Sequence, residues 1–171
     1  NEQGRAMNRL AAMYEKRAGN RDRVLSDAEM ALLLRRGGDS IASYYQGHDY
    51  TGEMMARFYS LAAAQRVQLS AQELLLRTLL VEAGVLQSDG IRGYKPLGTQ
   101  AVVSFTAEQQ DDPATEADET VDSRRRESVL LHELSHGEYF TNAAYRAHCW
   151  DFWRTQLTEP ERQLFRAYLE R

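Results

Sequence analysis

The feature that most constrains the fold is a pair of histidines four residues apart, His132 and His136, in a stretch without proline or glycine. Side chains at this spacing on an α-helix lie on one face, about one turn apart, so both imidazoles can point to a common site. The apolar residues that precede the pair favour a helix, and Asp122 or Ser123 is suitable as its N-cap. We therefore predict a helix over residues 123–139 whose histidine face is buried.

The residues between the two histidines indicate which reaction this spacing could serve. The stretch His132-Glu133-Leu134-Ser135-His136 has the H-E-x-x-H pattern, in which two imidazoles bind one Zn²⁺ at roughly 2.0–2.1 Å. The carboxylate of Glu133 then faces the attacking water and can accept its proton as a general base. Two of the four histidines of the chain lie in this motif, so it does not reflect a histidine-rich composition. The pattern predicts a zinc-dependent hydrolase with His132 and His136 as ligands.

This stretch resembles the active-site helix of the zincin metallopeptidases, and the match covers little else of the chain. The resemblance implies a zinc peptidase that acts on a peptide or protein substrate. We expect an α+β, mainly helical fold, in which an N-terminal helical bundle packs on a minimal zincin core of a short sheet, the HExxH helix and C-terminal helices. The expected organisation is a single domain over residues 1–171, with a helical half at 1–88 and a zincin-like half at 89–171.

A catalytic zinc site needs a third protein ligand, and several residues are candidates for it. His148 lies in a His-x-x-x-Phe segment that is similar to the one supplying the third ligand in SprT-like and WLM-type zincins. The gluzincins take a glutamate from a later helix, which here points to Glu159 or Glu161. The motif and the residues after it are also similar to bacterial gluzincin-like proteins, whose glutamate ligand would lie beyond Arg171. We favour His148 and leave the glutamates open.

Two residues that follow the motif helix are predicted to face the metal. Thr141 or Asn142 can cap a second helix that turns back along the first, which would bring Tyr145 and His148 close to the zinc. Tyr145 could then donate a hydrogen bond to the oxyanion of the reaction. The alternative for Tyr145 is core packing against the motif helix, and the alternative for His148 is packing beside Trp150 and Phe152.

Upstream of the motif, residues 100–106 form the clearest strand, with residues 91–94 as its expected partner. In zincins such a strand offers its edge to an extended substrate, whereas an ordinary core strand is the alternative. Residues 107–122 are rich in Asp and Glu, which predicts a mobile acidic loop, either a lid beside the cleft or a solvated insertion. His48 is expected to be a solvated turn residue.

The first half of the chain is predicted to be helical. Ser26-Asp27-Ala28-Glu29 and Ser70-Ala71-Gln72-Glu73 have the capping-box pattern of helix starts, and Gly37-Gly38 is a stop signal. We therefore place helix starts at Ser26 and Ser70.

Composition excludes several classes of protein. A net charge of −4 without a basic face argues against a nucleic-acid partner, and no run approaches the roughly 20 apolar residues of a membrane span. The single cysteine, Cys149, excludes an internal disulfide and a cysteine-based zinc cluster. A periplasmic or secreted location is expected if a leader preceded Asn1.

Two alternatives to a peptidase remain at the level of sequence. One is a binding or scaffold module that retains zinc, or only the motif, without turnover. The other is an amidase that acts on cell-wall peptides, which uses the same metal chemistry.

Overall fold

The structure is a computed structural model that describes residues 2–15, 22–90 and 93–169. The described residues form seven helices and four short strands, so the predicted α+β, mainly helical class is confirmed. The helices are α1 (Glu2–Tyr14), α2 (Asp27–Gly37), α3 (Gly52–Ala64), α4 (Ala71–Glu82), α5 (Ser123–Thr141), α6 (Ala143–Thr155) and α7 (Glu159–Leu169). The strands are β1 (Gly47–Thr51), β2 (Leu86–Ser88), β3 (Tyr94–Pro96) and β4 (Ala101–Phe105).

Helices α1 to α4 make up the N-terminal helical part of the fold, and α1 contributes to both of its apolar clusters. One cluster joins α1 to β1, α3 and α4, and the other joins α1 to α2 and the turn that follows α2. Met7, Leu10 and Met13 of α1 are almost completely buried. This helix is therefore the centre around which the other three pack.

Both predicted capping boxes start helices where the sequence placed them. The Ser26 hydroxyl accepts from the backbone N–H of Glu29, and the Ser70 hydroxyl accepts from that of Glu73. Glu73 is fully buried and also accepts from the Arg9 guanidinium, with Nε to Oε1 at 2.8 Å. Glu73 thus belongs both to the capping box that starts α4 and to the contact that holds α4 against α1.

The strand predicted at residues 100–106 is β4, but its partner is not the one expected. β4 pairs antiparallel with β1, with Asp49 opposite Val103. Of the expected partner 91–94, residues 91–92 lie outside the described residues, and Tyr94 belongs to β3, which pairs with β2. The actual partner comes from residues 1–88, so the two halves of the chain share one sheet.

The two faces of β1 have different surroundings. His48 and Tyr50 are buried on the face toward the helical core, and His48 is only 2% exposed. The expectation of a solvated turn at His48 is therefore wrong. Gly47 and Asp49 lie on the opposite face, toward α5. This alternation decides which residues of β1 reach the motif helix.

Helix α5 carries the motif and packs across β4 and β1. It begins as predicted, because the Asp122 carboxylate accepts from the backbone N–H of Arg125 at 2.7 Å. It continues to Thr141, two residues beyond the predicted end. All of α5 is described, and Glu133 is its only buried residue, so the predicted burial of the histidine face is wrong for His132 and His136.

The acidic segment 107–122 is closed at its base. Gln109 and Val121 form an antiparallel bridge, Val121 is buried, and the Glu119 carboxylate accepts a hydrogen bond from the Ser40 hydroxyl. Arg125 of α5 lies 3.6 Å from the Asp118 carboxylate. The segment therefore packs beside the turn after α2.

Helices α6 and α7 form a hairpin in which neither element, over its described length, has a buried residue. The rings of Trp153 and Phe165 lie 6.2 Å apart across it, and Arg162 donates to the carbonyls of Trp153 and Leu157. Asn142 caps α6 as predicted, since its side chain accepts from the N–H groups of residues 144 and 145. Within the described ranges, no helix has the length and apolar character needed to cross a membrane.

Candidate metal centre

The two imidazoles of the motif converge. The Nε2 atoms of His132 and His136 lie 3.1 Å apart, with the rings inclined at 75°. Two nitrogens bound to one tetrahedral zinc at 2.0–2.1 Å would be about 3.3 Å apart. An N–H···N hydrogen bond between neutral rings gives a similar distance. The spacing on one helical face therefore brings two nitrogen donors to a separation that is compatible with binding one zinc ion.

Glu133 lies beside the pair but points toward β1. Its side chain is 7% exposed, and burial raises the pKa of its carboxyl to about 7, with the neighbouring Asp49 carboxylate acting in the same direction. The carboxylate fits there because position 47 is glycine. A Cβ added at Gly47 would lie 2.3 Å from Glu133 Oε1, far inside contact distance. The backbone of β1 and the predicted general base are thus in direct contact.

Asp49 is the charged group of β1 that reaches the motif. Its Oδ2 lies 3.6 Å from Nδ1 of His136, on the side of the ring away from Nε2. The pKa of the Asp49 carboxyl is raised, because the effect of burial is larger than the opposing effect of the neighbouring His136. Glu15, at the end of α1, is also close, and burial is the main cause of its raised pKa. The site therefore combines two imidazoles with three carboxylates, Glu15, Asp49 and Glu133.

These groups line an open cavity of about 840 Å³. Its wall comes from the end of α1, from β1 and α3, and from α5: Tyr14, Glu15, Asp22, Tyr45, Gly47, Asp49, Glu53, Met54, Arg57, His132, Glu133, His136 and Phe140. The cationic side chain of this wall, Arg57, pairs with Asp22 at 2.5 Å. The cavity is consequently acidic. Residues 107–122 do not line it, which gives no support to a lid.

The other predicted site residues are not brought to the histidine pair. Neither Tyr145 nor His148 lines the cavity, and His148 is exposed on α6. The cap of α6 at Asn142 lies six residues after His136, about 9 Å along the axis of α5. Tyr145 and His148 therefore gain no support from the geometry as oxyanion donor and third ligand.

The downstream glutamates are also elsewhere. Glu159 is exposed on α7 and pairs with Arg162 at 2.9 Å and Arg166 at 3.1 Å. The Glu161 carboxylate accepts from the Thr158 hydroxyl at 2.7 Å, next to the start of the same helix. Neither residue lines the cavity.

The described residues contain no group of three His, Cys, Asp or Glu side chains arranged to hold a metal ion. No protein family, curated protein or solved structure matches this chain. Function is therefore inferred from the chemistry of the site and from the resemblance of its motif to the zincins.

Sequence reasoning missed the contribution of β1 to the site. Gly47, Asp49 and Glu15 lie far from the motif along the chain, and none belongs to a recognisable pattern with it. A signal was available in residues 46–51, where two β-favouring residues, Tyr50 and Thr51, follow a glycine. A strand assignment there would have placed residues 47 and 49 on the same face.

Proposed function

We propose that this protein is a zinc-dependent metallopeptidase, with His132 and His136 as metal ligands and Glu133 as the general base. The observation that carries the proposal is the convergence of two Nε2 atoms, 3.1 Å apart, at a cavity whose wall also includes Glu133. The helical spacing, which also carries the zincin resemblance, and the position at the cavity are two separate reasons to assign these residues to one site.

The roles of the residues follow from their chemistry. A zinc ion held by the two imidazoles would act as a Lewis acid that polarises the scissile carbonyl and makes water more acidic. Glu133 accepts the proton of the attacking water and then delivers it to the departing amine nitrogen. Positioned proton transfer of this kind contributes about 10²–10⁴-fold to rate. The contact with Gly47 restricts where the Glu133 carboxylate can lie.

The substrate would lie along β1 rather than β4. Gly47 and Asp49 of β1 line the cavity, whereas residues 101–105 do not. In the part of the chain that the structure describes, β1 pairs with β4 alone, and we propose that an extended peptide adds as a strand at its other edge. The acidic wall favours a peptide with a positive charge near the cleaved bond.

The test is hydrolysis of an unstructured protein and of cell-wall peptides by the zinc-loaded chain and by Glu133→Gln. The amide cannot accept a proton, so we expect at least a 100-fold loss of turnover with unchanged zinc content. Glu127→Gln, an exposed change on the same helix, is the matched control and should retain full activity. A Glu133→Gln chain as active as the parent would show that Glu133 is not the base.

A second candidate function is a binding or scaffold module that keeps the motif without turnover. It is favoured by one observation, the lack of a third donor beside the histidine pair among the described residues. The same experiment separates the two proposals. Stoichiometric zinc without hydrolysis of any substrate, in the parent as in Glu133→Gln, would establish the second.

A further inference from the structure

We infer that Asp49 is a positioning residue that holds the imidazole of His136 in the tautomer and orientation required for metal binding. The inference rests on the proposed zinc site and adds to it a residue from a distant strand. Its basis is the juxtaposition of one carboxylate with the ring nitrogen that faces away from the other histidine.

The geometry separates the two nitrogens of His136. Its Nε2 lies 3.1 Å from Nε2 of His132, and its Nδ1 lies 3.6 Å from Oδ2 of Asp49. A carboxylate accepts from Nδ1–H and thereby leaves Nε2 with its lone pair free. A shift of about 0.7 Å in these two side chains brings the Asp49 contact to a normal hydrogen-bond length. A metal-binding histidine usually donates its second nitrogen to such an acceptor.

The position of Asp49 is set by the sheet. Asp49 is opposite Val103 in the β1–β4 ladder, and its side chain is 18% exposed on the face toward α5. Its neighbours on the strand, His48 and Tyr50, are buried on the other face. A residue with this register cannot turn away without breaking the alternation of the strand. The carboxylate is therefore presented to His136 by the fold and not by a flexible loop.

Other carboxylates near the pair have different relations to it. Glu133 shares a side-chain hydrogen bond with Asp49 and faces Gly47, and Glu15 is near His136. Of the carboxylates in the described residues, Asp49 is the one whose oxygen lies within 4 Å of a ring nitrogen of a motif histidine. Glu53 lines the same cavity without such a contact and offers a charge-matched comparison. A comparison of Asp49 with Glu53 therefore separates the effect of the contact from that of the overall acidity of the cavity.

The experiment compares the parent chain with Asp49→Asn and Glu53→Gln. The ring nitrogens of His136 are observed by ¹⁵N NMR in the metal-free protein, at a pH where imidazoles are neutral. The parent should show a protonated Nδ1 and a free Nε2. The new amide in Asp49→Asn can donate to Nδ1, so this change should shift the ring toward the Nε2–H tautomer, which cannot bind a metal through that atom.

Zinc affinity gives the second readout. Asp49→Asn should bind zinc about 10–100-fold more weakly, and Glu53→Gln should bind it like the parent. An unchanged His136 tautomer in Asp49→Asn, or an equal loss of affinity in Glu53→Gln, would overturn the inference. Failure of the parent to bind zinc would instead reject the proposed function, and the tautomer measurement would still decide the role of Asp49.

Discussion

Gly47→Ala tests how closely the general base depends on the backbone of β1. A Cβ at this position would lie 2.3 Å from Glu133 Oε1 and 2.6 Å from Cγ1 of Val129, both on α5. Ordinary van der Waals contact begins at 3.4 Å. The Glu133 carboxylate must therefore be displaced by about 1 Å, or α5 must move away from the sheet, because the packing leaves no space for the added Cβ.

The expected magnitudes follow from that displacement. Overpacking a well-packed contact typically destabilises a protein by about 1–3 kcal/mol, and displacing a catalytic group by about 1 Å can cost about 100-fold in rate. We expect both losses in Gly47→Ala, measured by urea unfolding and by peptide hydrolysis. Gly98→Ala is the control, because its added Cβ would meet only the flexible end of the Gln100 side chain, at 2.8 Å.

A double-mutant cycle identifies the responsible contact. Glu133→Ala removes the carboxylate that the new Cβ would strike, so Gly47→Ala should cost about 1 kcal/mol less stability in that background. The remaining cost belongs to Val129. A Gly47→Ala chain as stable and active as the parent, or a cycle without coupling, would refute the close packing of β1 against Glu133.

Three further predictions follow from the structure. Burial lowers the pKa of His48 to about 3, so the folded protein holds this imidazole neutral. The free energy of unfolding is therefore unaffected by titration of His48 above its ordinary pKa of 6.5, and it decreases as pH falls from there toward 3. Between pH 7 and 5 the parent should therefore lose about 2 kcal/mol of unfolding free energy that His48→Gln does not lose, as measured by urea unfolding. Glu73→Gln removes the buried ionic partner of the Arg9 guanidinium and leaves only the exposed Asp27 carboxylate, at 3.4 Å, so it should destabilise the fold by about 3–5 kcal/mol in the same assay. His148→Ala should leave zinc affinity unchanged in a competition assay with a chelator, because His148 is exposed and does not line the cavity. A loss of affinity as large as that of His136→Ala would show that His148 is a zinc ligand.

Features of the fold that depend on local chemistry were predictable from the sequence. The capping boxes at Ser26 and Ser70, the cap at Asp122 and the strand near residues 100–106 each involve residues within a few positions of one another. The convergence of His132 and His136 was predictable for the same reason, because four residues on one helix fix the relation of two side chains.

Features that depend on distant contacts were not predictable. The partner of β4 lies about fifty residues upstream, and the weak strand signal of Tyr50 and Thr51 is outweighed by the glycine, histidine and aspartate before them, which are typical of turns. Asp49 was missed with it. His148 was favoured because a short connection suggested a helix that turns back, but His148 is exposed on α6 and does not line the cavity.

The most direct test of the central claim is the zinc content of purified protein after removal of metal and dialysis against a small excess of zinc. We expect one zinc ion per chain in the parent and in Glu133→Gln, and far less than one in His132→Ala or His136→Ala, since each of these changes removes one of the two proposed ligands. A parent chain without stoichiometric zinc, or a His132→Ala chain that holds as much zinc as the parent, would contradict it.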